Sequence, residues 1–443
     1  MSTMTAGPAE FTLATADFEA FRGGVSEPAA MAGARRAAWE RFTSLPWPTR
    51  KSEEWRYTDL SAVGFDALAP VAPAAAPTEG LPADVRAVLG RSGDRAGVVV
   101  LRDGRLAHLE LEPAAERAGV VLCSIREAAV EHPELLRRAF FDAQPAPAEE
   151  KLWALHVALL GGGYFLFVPR GVEMEAPVHA FHIVERAGTL SSAHSVVYAE
   201  PGGRAAVIDE FLSDDLEGET VSLHGATISG EGGAGVEYVA LQRFGRGVKR
   251  FSTQHVFAGR DSRVVTFNVG LGGDLSRADV TSRLHGPGSD SEMLALWFGD
   301  ADQHFDHHTL QHHAAPHAHS DLLFKGALTD EGSSVFRGLI RVDKGAQLTD
   351  AYQTNRNLLL SEGAHASALP NLEIEADDVR CSHGATIGQV EDGQLFYLMS
   401  RGLTRRQAER LLVFGFFDEV LGRLPMEGVR TRVREAIEEK IGL

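Results

Sequence analysis

The runs VHAFHIV (178–184), SSAHSVVYAE (191–200), RAAVIDEF (204–211), GVEYVALQRF (235–244), RVVTFNVG (263–270) and SSVFRGLIRV (333–342) decide how this sequence is read. Each is short, rich in Val, Ile, Phe or Thr, and bounded by Gly or Asp clusters, the pattern of a strand between turns. From about Phe165 to Gly388 such runs follow one another with no helical interval. A doubly wound sheet needs a crossover helix after each strand and is excluded. A barrel, a sandwich and a stacked solenoid, in which each turn covers the edge of the one before, stay open. No clean sequence repeat chooses among them.

Outward from this core, GVVVLRDGRLAHLEL (97–111) places two apolar runs around Asp103-Gly104, a pair suited to a two-residue hairpin turn. Ala67 to Pro82 is mostly Ala and Pro and predicts an extended connector. Met31, Ala38, Trp39, Phe42 and Leu45 recur at helical spacing and predict an amphipathic helix ended by Pro46 and Pro48. Helical patterns over 125–141, interrupted by Pro133, and over 149–160 lead into the core. LWALHVALLGGGYFLFV (152–168) reads as a helix running into a buried strand, too short and too broken by glycine for a membrane span. After Ser400, Thr404 and Gln407 form a capping-box pattern ahead of ERLLVFGFFDEVLGRL (409–424), and Val429, Val433, Ile437 and Ile441 make one stripe. These helices pack on their own domain or offer a docking surface. The predicted organisation is a helical region (1–66), an Ala/Pro-rich linker (67–84), a small α/β region (85–164), a β core (165–400) and a carboxy-terminal helical domain (401–443).

The formal net charge of -18 repels phosphate backbones and anionic lipid headgroups, so nucleic acid and membrane surfaces are set aside. MSTMTAGPAEFTLATADFEAF, the first 21 residues, has neither a basic stretch nor an apolar run and does not read as a secretory signal, which predicts a cytoplasmic protein. Only Cys123 and Cys381 are present, without zinc-type spacing. A cluster on four thiolates cannot be built from them, so any cluster chemistry must borrow ligands from other residue types or another subunit. No GxxxxGK[ST] loop occurs, and GRGVKR (245–250) lacks its spacing, so this chain is not expected to bind or hydrolyse ATP. No GxSxG elbow occurs either, and Cys123 in GVVLCSI (119–125) reads as packing.

Two segments stand out chemically. In DDVRCSHGATIG (377–388), Cys381 and His383 are two apart, so on a strand both leave the same face and together suit iron, zinc or a persulfide sulfur. The plainer reading makes Cys381 a small buried hydrophobe. In QHFDHHTLQHHAAPHAHSD (303–321), seven of the chain's 18 histidines crowd together. On a strand His304, Asp306, His308 and His312 point one way, and His307 and His313 the other. That is a candidate metal face and motivates an alternative, a metal-dependent all-β enzyme, although such a tract also suits an exposed edge.

NLEIEADDVRCSHGATIGQVEDGQLFYLMSRGLTRRQAERLLVFGFFDEVL (371–421) resembles the carboxy-terminal signature of the SufB/SufD family of iron-sulfur cluster assembly scaffolds. The likeness continues through SSVFRGLIRVDKGAQLTDAYQTNRNLLLS (333–361) and HHTLQHHAAPHAHSDLLFKGAL (307–328). RKSEEWRYTDL (50–60) and CSHGAT, where SufB proteins tend to read Cys-x-His-Glu-Ala, are similar to the SufD branch. The resemblance implies a right-handed parallel β-helix core flanked by helical elements at both ends, and a scaffold that turns over no substrate itself. It implies pairing with a SufB paralogue and docking of the SufC ATPase on the carboxy-terminal helices. It further implies a transient nascent cluster, or iron, at the SufB-SufD interface, where His383 matches the SufD ligand and Cys381 a SufB ligand position. ATP-driven approach of two SufC subunits would open that interface. A flavin on the complex and self-pairing of the isolated chain are left open.

Overall fold

The structure is a computed structural model that describes residues 15–23, 27–73, 85–86, 89, 95–141, 150–424 and 427–441. Most of the segment read as a signal-free amino terminus, and the greater part of the Ala/Pro connector, lie outside the described residues. In chain order the elements begin with helices α1 (Thr15–Gly23) and α2 (Ala29–Ser44) and the short strand β1 (Ala69–Pro70). Next come β2 (Gly97–Arg102), β3 (Arg105–Leu111), α3 (Pro113–Arg117), β4 (Val121–Ser124), α4 (Ile125–Glu131), α5 (Pro133–Leu136), α6 (Glu150–Ala158) and β5 (Gly162–Val168). Fifteen strands then follow without a helix: β6 (Val178–Ile183), β7 (Thr189–Ala199), β8 (Arg204–Leu212), β9 (Thr220–Gly230), β10 (Gly235–Arg243), β11 (Val248–Ala258), β12 (Arg263–Gly270), β13 (Leu275–Leu284), β14 (Asp290–Gly299), β15 (His304–His313), β16 (His319–Leu328), β17 (Ser333–Val342), β18 (Asp350–Leu359), β19 (His365–Ile374) and β20 (Arg380–Gln389). Helices α7 (Asp392–Ser400), α8 (Arg405–Leu421) and α9 (Glu427–Ile441) close the chain.

Strands alternate between two ten-stranded sheets, the odd ones stacking as β5-β7-β9 through to β19 and the even ones as β6-β8-β10 through to β20. The pairing is parallel throughout this stack, so the core is a parallel β-solenoid of about 8 turns. Of the three architectures the strand pattern allows, this is the one realised. It escapes a sequence repeat because the repeat is conformational. Two residues before β8, β10, β12, β14, β16 and β18 stand Gly202, Gly233, Asp261, Gly288, His317 and Leu348, each with positive φ. Their amides donate to the next turn's corner, as Gly233 does to Arg260 O at 2.8 Å and His317 to Gln347 O at 2.9 Å. A left-handed corner favours glycine but admits other residues where neighbouring turns fix the backbone, so the identity drifts while the shape repeats.

The predicted hairpin is present, with Asp103 at φ 48° and Gly104 at φ 78°. A side chain at Gly104 would meet Ser192 O at 2.8 Å. The hairpin is part of the stack: β2 pairs in parallel with β6, and β4 pairs antiparallel with β5. Antiparallel strands β3 and β4 therefore end the two sheets at the amino-terminal side. The last solenoid strand ends at Gln389, and residues 392–400 are helical. Outside the solenoid, α2 and α6 pack against the odd-strand sheet with Trp39, Phe42, Leu155, Leu159 and Phe251 in one cluster. Helices α8 and α9 lie on the even-strand sheet, burying Val413, Phe417, Val429, Val433 and Ile437 against Leu241, Val265, Leu294 and Leu323. Among the described residues, no helix is long and apolar enough to cross a membrane.

Candidate functional site at the open end of the solenoid

At the carboxy-terminal side each sheet ends on a full ten-residue strand, β19 in one and β20 in the other, each with one ladder neighbour among the described residues. Cys381 and His383 lie on β20. Their ladder partners on β18 are Ala351 and Gln353, both buried in the solenoid interior, so both side chains continue an inward-facing column at its last, uncovered rung. The common face expected from their spacing is present, and their environments differ. Cys381 is half-buried against Ile340, Val342 and Ala351. Burial, and then the Asp350 charge, push its thiol up from the ordinary value, which disfavours the thiolate that would bind a metal. His383 is exposed. Cys123 is partly buried on β4, its thiol pushed up to about 12 by burial and by Glu127 and Glu131, in keeping with packing.

The histidine tract covers β15 and the corner to β16 and divides three ways. His304 and His308 flank Asp306 on the outer face, under the amino-terminal segment. The Thr58 hydroxyl donates to Asp306 Oδ2 at 2.5 Å and lies 3.0 Å from His304 Nε2. His304 Nδ1 lies 2.8 Å from Ser333 Oγ. Arg277, wholly buried, donates to Asp306 at 2.8 Å, chelates Asp279, donates to Glu54 O at 2.9 Å, and has its guanidinium 3.8 Å from the Trp55 ring centroid. Burial works to raise the Asp306 carboxyl, but His308, Arg277 and Thr58 outweigh it and hold it far below the usual range. His312 turns to a different carboxylate, with Nε2 3.0 Å from Asp343. His307 stacks on Trp297 inside the solenoid, and His313 lies 2.8 Å from Ser320 Oγ. The structure thus gathers His304 and His308 about one carboxylate that already holds a guanidinium, and sends His312 elsewhere. SEEWRYTDL and the tract, read separately in the sequence, are two sides of one contact.

Sequence reading missed two buried carboxylates side by side on β8. Glu210, fully buried, accepts from Arg243 at 3.0 Å and from Arg432 of α9 at 2.5 Å, with His179 Nε2 at 3.3 Å. Burial alone would raise its carboxyl; His179 and Arg432 outweigh that and hold it down to about 2. Asp209 faces the interior, between His182 and His224. The available signal was the Asp-Glu pair inside the otherwise apolar run RAAVIDEF.

The capping box at the start of α8 is complete, Thr404 and Gln407 exchanging both bonds. The broad apolar face of α8 is spent on the solenoid, together with Lys325, which donates to Phe416 O at 2.8 Å. What stays exposed nearby is Phe396, Tyr397, Met399 and Leu411, with Phe396 75% accessible.

A profile of the SufBD core domain, described as SUF system FeS cluster assembly, matches residues 182–416. The chain belongs to the SufBD family. The family's SufBD protein N-terminal region matches residues 96–180, so the two matches together span the hairpin, the whole solenoid stack and most of α8. The chain is 32% identical to the iron-sulfur cluster assembly protein SufD of Bacillus subtilis over 94% of its own length and 95% of the relative's. It is 29% identical to the Escherichia coli protein of the same name, covering 89% of each chain. A SufBD family protein of Mycobacterium tuberculosis is 34% identical over 62% of this chain and 68% of its own. The SufBD core match contains both β15 and β20, so the covered histidine tract and the exposed His383 lie within the family's shared region.

Proposed function

We propose that this chain is a scaffold subunit of an iron-sulfur cluster assembly complex of the SufBCD type, with no catalytic turnover of its own. The observation that carries the reading is the exposed His383 imidazole on a ten-residue strand whose ladder has a neighbour on one side only. An unpaired edge of that length recruits another strand, and a SufB paralogue built on the same solenoid is its natural complement. In the absence of SufB, a second copy of this chain would take the same edge.

Iron and sulfide are cargo in this reading. At the junction they meet the His383 imidazole, a borderline ligand suited to iron, and a thiolate supplied by the SufB partner. Cys381 lines the same rung, and its raised thiol makes it a wall of the site before it is a ligand. The SufC ATPase docks on the carboxy-terminal helices, where Phe396, Tyr397, Met399 and Leu411 form the exposed apolar surface. Movement imposed there by nucleotide binding reaches the solenoid through Lys325, Arg356 and Arg432, which tie α8 and α9 to the even-strand sheet.

The test is anaerobic cluster formation in the co-expressed complex carrying His383→Ala, read by visible absorption. Cluster yield is expected to fall by about tenfold or more with the complex still assembled. Unchanged yield in an intact complex would remove His383 from the site, and unchanged yield in the Cys381→Ser/His383→Ala double variant would leave this chain a purely structural partner.

A further inference from the structure

Inside the solenoid, far from the open rung, three strands of two sheets bring His182, Asp209 and His224 together. His182 on β6 is paired across the ladder with Phe211 on β8, so Asp209 is its diagonal neighbour on the same inward face. His224 reaches them from β9 in the other sheet. All three are buried, at 6%, 0% and 4% exposure. His182 Nε2 lies 3.5 Å from Asp209 Oδ1, His224 Nε2 lies 3.7 Å from Oδ2, and the ligand atoms fall within 4.8 Å of one another. A tetrahedral ion with bonds near 2.0–2.1 Å needs its ligand atoms about 3.3 Å apart, so the two imidazoles would have to draw in on one oxygen of Asp209 to hold it.

The carboxylate is oriented as a metal ligand is. It accepts from Tyr164 at 2.7 Å, from Ser195 at 2.6 Å and from Tyr238 at 2.6 Å. Those hydroxyls would suffice if the cluster were only a satisfied buried aspartate. They leave His182 Nε2 buried with only Asp209 Oδ1 at 3.5 Å, short of a hydrogen bond, while His224 Nε2 has the Ser195 hydroxyl at 3.2 Å; the deficit at His182 costs at most about 1–3 kcal/mol. A cation between the three side chains removes that cost. We infer that His182, Asp209 and His224 form an interior site for one divalent transition-metal ion of the zinc or ferrous class, held by two imidazoles and one carboxylate. Arg250, on the next turn with its guanidinium 4.4 Å from the Phe211 ring centroid, opposes added positive charge and tempers the affinity. A small cavity lined by Trp55, His156, His224 and Asp279 adjoins the His224 side of the cluster.

The site is distinct from the His383 rung, and its test does not depend on cluster assembly. The full-length chain, stripped with chelator under anaerobic conditions, is loaded with Co²⁺, and with Zn²⁺ for amide hydrogen exchange. One cobalt per chain with a nitrogen- and oxygen-ligand visible spectrum is expected, weakened about 100-fold in His182→Gln. In the unaltered chain, zinc should slow exchange in 178–183, 204–212 and 220–230. Failure to bind a stoichiometric ion, unchanged cobalt affinity in a folded His182→Gln, or protection confined to 304–319 would each overturn the site. The exchange measurement holds even if the variant does not fold.

Discussion

The His304–His308 face and the Cys381–His383 strand put the same kinds of side chain on the same kind of ladder, one beneath a cover and the other bare. Over β15 the amino-terminal segment lays Trp55 and Thr58, and Arg277 supplies the charge that Asp306 needs, so the carboxylate is held within the chain even though the buried Trp55 indole N–H has no hydrogen-bond partner. Among the described residues no further rung is laid over β20, and His383, on the inward-facing column, is left exposed at the end of the stack. The difference teaches that a polar cluster becomes available to a partner through what the rest of the chain leaves uncovered. Residue type alone does not decide it.

The comparison breaks hardest at Arg277. Arg277→Met strands Asp306 and Asp279 beneath Trp55, and the loss is expected to be about 3–5 kcal/mol by chemical denaturation, with new protease sensitivity near residues 50–60. A loss under about 1 kcal/mol would show that the covered face is not held by its charges.

Acid should act next on the carboxylates that pin covers in place. Glu210 sits at about 2 in the fold against an ordinary 4.5, so its contribution is complete above 4.5 and drains away as the pH falls towards 2. Hydrogen exchange should show α9 loosening from β8 across that window, with Asp306 acting in the same direction on the amino-terminal segment. An α9 equally protected at pH 2.5 and pH 6 would contradict this.

The smallest effect belongs to the bare strand. His383→Ala in the isolated chain is expected to change stability by no more than about 0.5 kcal/mol, because the side chain is exposed. A larger change would mean that His383 is already engaged within the fold.

Strand after strand, the hairpin at Asp103-Gly104 and the capping box at Thr404 were legible because each is set by residues near one another in the sequence. The common face of Cys381 and His383 was legible for the same reason, since a two-residue spacing on a strand fixes it. The solenoid was not, because Gly233, Asp261, His317 and Leu348 adopt one corner conformation with four different side chains. The fate of the histidine tract was hidden too: Thr58 and Arg277 meet Asp306 across separations of 248 and 29 residues. The Asp209 cluster draws on strands from both sheets, and no local pattern joins them.

The sequence by itself determined the element types, the absence of crossover helices through the core, and too few thiolates for a self-contained cluster. The family signature added the architecture. Only the tertiary structure decided which polar clusters are sealed and which is presented. Local periodicity sets which way a side chain points, whereas its cover comes from segments distant along the chain, and burial is what turns the same histidine into a packing group or a ligand.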